Sequence, residues 1–107
     1  MKVLLLVSEQ SKINQAIEKI EELVHYRHEV ITICTRPVAE SLGRELGRRG
    51  LNKYIRLIVF KDNYPEENAL KIIILNNPDL VIDFDSINRF PYLKLLIKAK
   101  RTNIDHQ

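Results

Sequence analysis

Residues 3–7 read Val3-Leu4-Leu5-Leu6-Val7, and residues 8–12 read Ser8-Glu9-Gln10-Ser11-Lys12. Five apolar residues without a polar break mark a strand that is covered on both faces, as in the middle of a parallel sheet. The turn after it is polar. Next, Ile13, Ile17, Ile20 and Val24 recur at helical spacing among Lys12, Glu18, Lys19, Glu21 and Glu22, which predicts an amphipathic helix with Ser11 as its N-cap.

The same unit repeats outward from there. Val30 to Cys34 predicts a second strand. Pro37 suits the first turn of a helix, which Val38, Leu42 and Leu46 give a narrow apolar stripe. Gly43 and Gly47 lower that helix's intrinsic stability by about 1 kcal/mol each and suggest close packing on the sheet. Gly50 is a natural stop. Ile55 to Phe60 predicts a third strand. Pro65, Glu66 and Glu67 open a third helix, with Ala69, Leu70, Ile73 and Ile74 as a broad apolar face. Asn76-Asn77-Pro78 ends it. Leu80 to Phe84 predicts a fourth strand, and Pro91 to Arg101 a last helix carrying Leu93, Leu96 and Ile97. The tail 102–107 reads as loosely held, unless Asn103-Ile104 starts a fifth strand.

Strand and helix alternate with short connections, so the fold class is α/β: a three-layer, Rossmann-like (flavodoxin-like) domain with four, or with the tail five, parallel strands and helices on both faces. The 107 residues suffice for one domain over 1–107. The chain is 45% hydrophobic and 29% charged, and no apolar run has the length of a membrane span. The short opening run reads as a strand and not as a signal peptide. A single cysteine, Cys34, excludes an internal disulfide and a multi-cysteine zinc site; it reads as a small buried hydrophobe in a cytoplasmic protein. Abundant isoleucine and charge with little glutamine point to a heat-adapted source.

In such a sheet ligands bind beyond the carboxyl ends of the strands. That places Ser8, Glu9, Gln10, Ser11 and Lys12 after the first strand, and Thr35 and Arg36 after the second. Asp62 and Asn63 follow the third, and Asp85, Ser86, Asn88 and Arg89 the fourth. The ligand-binding set is Ser8, Ser11, Lys12, Thr35, Arg36, Ser86 and Arg89. The first turn contains no glycine, so neither a dinucleotide fingerprint nor a P-loop is present, and no cofactor is predicted. Lys12, Arg36 and the helix N-termini suit an anionic small molecule. Asp83 and Asp85 are two apart and share a strand face; with Glu9 they form an alternative magnesium set. Asp83 interrupts an apolar strand and needs a partner, with Lys12, Arg36 and Arg89 as candidates. His25, His28 and His106 read as surface residues.

Two resemblances sharpen these expectations. Val3 to Lys12, Asp79 to Asp85, and Leu93 to Ala99 followed by Asn103-Ile104 resemble the methylglyoxal-synthase-like domain. That family includes the regulatory domain at the end of the carbamoyl-phosphate synthase large subunit. The resemblance implies strand order 3-2-1-4-5 and a phosphate-bearing effector near Lys12, Thr35, Arg36 and Ser86. The family's Gly-Gly-Asp stretch is replaced by Lys61 to Asn68, and its threonine–glycine–threonine loop by Cys34-Thr35-Arg36-Pro37. The implied role is therefore regulatory binding without synthase activity. Glu9 and Asp83-Phe84-Asp85 also look like the acidic set of a topoisomerase–primase (toprim) domain, a metal-dependent enzyme acting on nucleic acid. The net charge of +3 is mild, and Arg44, Arg48 and Arg49 read as a solvated helix face. A third reading is a structural protein that forms a homodimer through a sheet edge or the last helix.

Overall fold

The computed structural model describes residues 1–60 and 66–84, the side chains of 66–69 excepted. Asp62, Asn63, Pro65, Asp85, Ser86, Asn88, Arg89, the helix expected over 91–101 and the tail lie outside the described residues. Strand β1 (Lys2–Val7) leads through a 3₁₀ turn (Gln10–Lys12) into helix α1 (Ile13–His25). Strand β2 (Glu29–Thr35) and helix α2 (Arg36–Arg48) follow without an intervening loop. A second 3₁₀ turn (Asn52–Tyr54) precedes strand β3 (Ile55–Phe60). Helix α3 (Glu66–Asn76) then leads to strand β4 (Leu80–Asp83).

The four strands form one parallel sheet of order β3-β2-β1-β4. Side-chain alternation along each strand divides the interior into two layers. Val3, Leu5 and Val7 of β1 point with Val30 and Cys34 toward α1 and α2. They meet Ala16, Ile17, Ile20, Val38, Leu42 and Leu46 there. Leu4 and Leu6 point the other way, with Ile31, Ile33, Phe60 and Val81, onto Ile73 of α3. β1 is thus apolar throughout because both its faces are covered. Thr32 pairs with Leu5 in the α1/α2 layer; it is fully buried, and its hydroxyl has no hydrogen-bond partner. Cys34 is also buried, and burial pushes its thiol up to about 11.

Helix ends are set by local chemistry. α1 closes with His28 N–H donating to Leu23 C=O (3.0 Å) and Arg27 N–H to Val24 C=O (2.9 Å). α2 closes the same way, with Leu51 N–H to Leu46 C=O (2.8 Å) and Gly50 N–H to Gly47 C=O (3.1 Å). Both are Schellman caps, which demand a left-handed residue. Gly50 fills that position at φ 71°, while α1 uses Arg27 at φ 62°. α3 ends at Asn77 with φ 45°, where asparagine is tolerated.

Three local expectations are corrected. Ser11 does not cap α1. The chain first makes the 3₁₀ turn, closed by Lys12 N–H to Glu9 C=O (3.0 Å), so Lys12 takes the N-cap position without a side-chain bond. Gly43 and Gly47 are not required by contact with the sheet. A Cβ on Gly43 meets only Leu57 Cδ1, at an ordinary 3.9 Å, and one on Gly47 meets nothing within 4 Å. Ile74 does not face the core: it is 67% exposed and Leu75 83% exposed, while Ile73 is fully buried. Ile72 and Leu70 flank Ile73 on the packed side, so the buried stripe runs one residue away from the expected one.

Candidate functional site

The chain order places β1 between β2 and β4. From β1 the chain steps to β2 and β3 on one side, then crosses back to lay β4 on the other. The carboxyl ends of β1 and β4 therefore flank the switch point of the sheet, where a crevice opens in folds of this topology. Ser8 and Glu9 leave β1 at this point, both half-buried. Phe84 N–H donates to Leu6 C=O (3.0 Å), continuing the β1–β4 ladder one residue past β4. On the other flank, Val7 pairs with Cys34, so Ser8 and Thr35 are each one step beyond an aligned pair.

Two helices begin at this edge. α1 starts after Lys12 and α2 after Thr35; neither N-cap makes a side-chain hydrogen bond, and neither first turn holds an acidic residue. A helix start leaves its first backbone N–H groups without helical partners and carries the positive end of the helix dipole; at α1 the 3₁₀ turn takes up Lys12 N–H (to Glu9 C=O) and Ile13 N–H (to Gln10 C=O). The charges next to these two helix starts are Lys12 and Arg36, with Glu9 just before the 3₁₀ turn. Lys12 is half-buried, Arg36 is exposed, and neither forms an ion pair with a described residue. Thr35 is the last residue of β2 and is buried, not a loop residue. The structure thus brings Ser8, Lys12, Thr35 and Arg36 to one edge, although Thr35 continues the alternation of Ile31 and Ile33 and so belongs, like Asp83, to the α3 side of the sheet. Ser11 is exposed in the 3₁₀ turn beside them.

The acidic set divides differently. Asp83 ends β4 opposite Leu6 and is half-buried. It continues the alternation of Val81, so it belongs to the α3 side of the sheet, whereas Lys12 and Arg36 start helices of the other layer. Among the described residues, no three His, Cys, Asp or Glu side chains gather as a metal would require.

The basic run on α2 is largely neutralised. Glu45 accepts from Arg48 Nε (3.1 Å) and Arg49 Nε (2.9 Å), and Arg49 Nη1 donates to Glu21 of α1 (3.0 Å). The hydrogen bond from Arg48, and then that from Arg49, lowers the Glu45 carboxyl to about 2. These pairs are solvent-exposed and are screened by salt. They leave little of the charge excess a phosphate backbone would need.

A groove that sequence reasoning missed lies at the opposite end of the strands. Val24, His25, Arg27, His28 and Tyr54 line it. It arises because the left-handed Arg27 turns the chain sharply between α1 and β2. The Tyr26-Arg27-His28 stretch offered no glycine to announce that turn. His25 is exposed, and His28 lies with Nδ1 3.3 Å from the amino terminus.

Fold and edge together define a small doubly wound parallel α/β domain whose carboxyl edge carries Lys12 and Arg36 together with Glu9 and Asp83. Comparison with protein-family models, with curated proteins and with solved structures finds no match. Among the described residues no helix is long and apolar enough to cross a membrane.

Proposed function

We propose that the chain is a non-catalytic module that binds a small anionic ligand, of the phosphate-bearing class, at the carboxyl edge of its sheet in a regulatory role. The observation that carries this reading is the pair of helix starts at α1 and α2 that lack a side-chain cap. Each is accompanied by a basic residue, Lys12 or Arg36, with no acid in the first turn. Backbone N–H groups and a guanidinium fork together suit phosphate oxygens better than either alone. Ser8 and Ser11 add hydroxyls at the same edge, Thr35 ends β2 there, and Ser86 and Arg89 follow β4 in sequence. The order β3-β2-β1-β4 agrees with the first four strands of a methylglyoxal-synthase-like domain, an order that other doubly wound folds share. A cytoplasmic site of action belongs to the same reading.

Thermal unfolding against inorganic phosphate, phosphorylated metabolites, nucleotides and magnesium at low salt tests it. A ligand at 100 times its dissociation constant stabilises by about 2.7 kcal/mol. The expected result is a shift with a phosphate compound that disappears in Lys12→Ala or Arg36→Ala. A shift with magnesium alone, or one untouched by both substitutions, overturns the proposal.

A further inference from the structure

The groove at the amino ends of the strands has no part in the reading above. It is lined by Val24, His25, Arg27, His28 and Tyr54 and has a volume of about 530 Å³, the size of a small-molecule site. Its lining holds a guanidinium, two imidazoles and a phenol hydroxyl, and no carboxylate. The neighbouring carboxylates along the chain are matched elsewhere: Glu21 by Arg49 (3.0 Å), Glu22 by Lys19 (3.1 Å) and Glu29 by Lys2 (3.6 Å). The Arg27 guanidinium makes no hydrogen bond or ion pair with a described residue. Lys53 adds a second positive charge, its Nζ 5.2 Å from the centre of the Tyr54 ring.

Arg27 also stands where the backbone favours another residue. It holds φ 62° in the cap of α1, the position that Gly50 fills at φ 71° in the matching cap of α2. A glycine would close α1 at lower backbone cost. The helix end does not need the side chain, because the N–H groups of Tyr26, Arg27 and His28 already satisfy the Glu22, Val24 and Leu23 carbonyls. A residue kept in a costly conformation, with its charge unused, points to a ligand. His28 supplies a donor of fixed tautomer. Its Nδ1 lies 3.3 Å from the Met1 nitrogen, which can only donate, so the neutral ring carries its proton on Nε2.

We propose that this groove binds a small aromatic carboxylate. Arg27 takes the carboxylate as a two-pronged donor, with His28 Nε2–H as a further donor, and Val24 and Tyr54 take the ring. A singly charged carboxylate fits better than a phosphate dianion. All three described α-helices end at this side of the sheet and none starts there, so helix carbonyl ends oppose excess negative charge and no helix start contributes N–H groups.

Titration of the intact chain with benzoate, followed by backbone amide NMR shifts, tests this. Saturable shifts are expected at residues 24–28 and 53–54. Benzamide, which keeps the ring and lacks the charge, should bind at least about tenfold more weakly. Arg27→Gly keeps the left-handed turn and removes the guanidinium, so it should raise the benzoate dissociation constant at least about tenfold. Lys12→Ala and Arg36→Ala, at the opposite edge, should leave that constant unchanged. Shifts that do not saturate or that fall elsewhere overturn the proposal. So does equal binding of benzamide, or a constant that Arg27→Gly does not move or that Lys12→Ala or Arg36→Ala raises as much. If Arg27→Gly does not fold, the benzoate and benzamide constants of the unmodified chain decide.

Discussion

The two layers flanking the sheet are built on different terms. On one side, α1 and α2 each present a sharp apolar stripe between charged residues, and every residue of the α2 stripe, Val38, Leu42 and Leu46, is buried. On the other side, α3 carries Leu70, Ile72, Ile73, Ile74 and Leu75, yet of these only Ile73 is fully buried. The helix with more consecutive apolar residues is the less specified one. Contrast between faces, and not apolar content, fixes how a helix is rotated on its sheet. Where Ile72 to Leu75 are all apolar, rotation is decided by the fit of Ile73 among Leu4, Leu6, Ile31 and Ile33.

The largest effects should come from cutting one anchor on each side. Leu42→Ala and Ile73→Ala each delete a fully buried side chain and should each destabilise by about 2–5 kcal/mol in urea unfolding. If the layers differ as described, Ile73→Ala falls at the low end of that range, because Ile72 or Ile74 can rotate inward to fill the space. A larger loss at Ile73 than at Leu42 would break the contrast. Within the α1/α2 layer, Thr32→Val keeps the shape and removes a buried hydroxyl that has no partner. It should stabilise by about 1 kcal/mol, and a loss of stability would mean the hydroxyl is bonded.

Gly47→Ala on α2 should also stabilise, by up to about 1 kcal/mol, since the added methyl meets nothing within 4 Å. On α3, Ile74→Ser and Leu75→Ser should change stability by less than about 0.5 kcal/mol. A cost above 1 kcal/mol at either would show a buried face where the described structure has an open one. The smallest effect is that of Glu45. Its folded carboxyl lies at about 2, below the ordinary value of 4.5. Its contribution is thus present above pH 4.5 and is lost as pH falls toward 2. Glu45→Gln should flatten the acid limb of the stability profile slightly at low salt and leave it unchanged at high salt.

The strands were the most legible part of the sequence. Residues 3–7 announced a central strand because burial on both faces leaves no polar position, and β3 was placed at Ile55–Phe60. The turns were less legible. Ser11 had the chemistry of a cap, but the cap position depends on whether a 3₁₀ turn precedes the helix, and neighbouring residues leave that open. Arg27 in a left-handed conformation had no signal, because a Schellman cap can impose it on any residue at a cost of about 1–2 kcal/mol. The candidate site was legible as a place and not as a set. Topology placed Ser8, Lys12, Thr35 and Arg36 at one edge. It did not show that Thr35 is buried as the last residue of β2, because a strand running directly into a helix leaves no loop to read.

The position of β1 also bears on how the chain is made. Leu4 pairs with Ile31 on one side and with Val81 on the other. The first contact closes soon after β2 is synthesised, and the second must wait until nearly the whole described chain has been made. In the interval β1 is paired along one edge only, and its apolar α3-side face has neither β4 beside it nor α3 above it. A nascent chain halted before β4 would expose such an edge and should aggregate or recruit a chaperone. The strand that opens the sequence is thus the last to be enclosed.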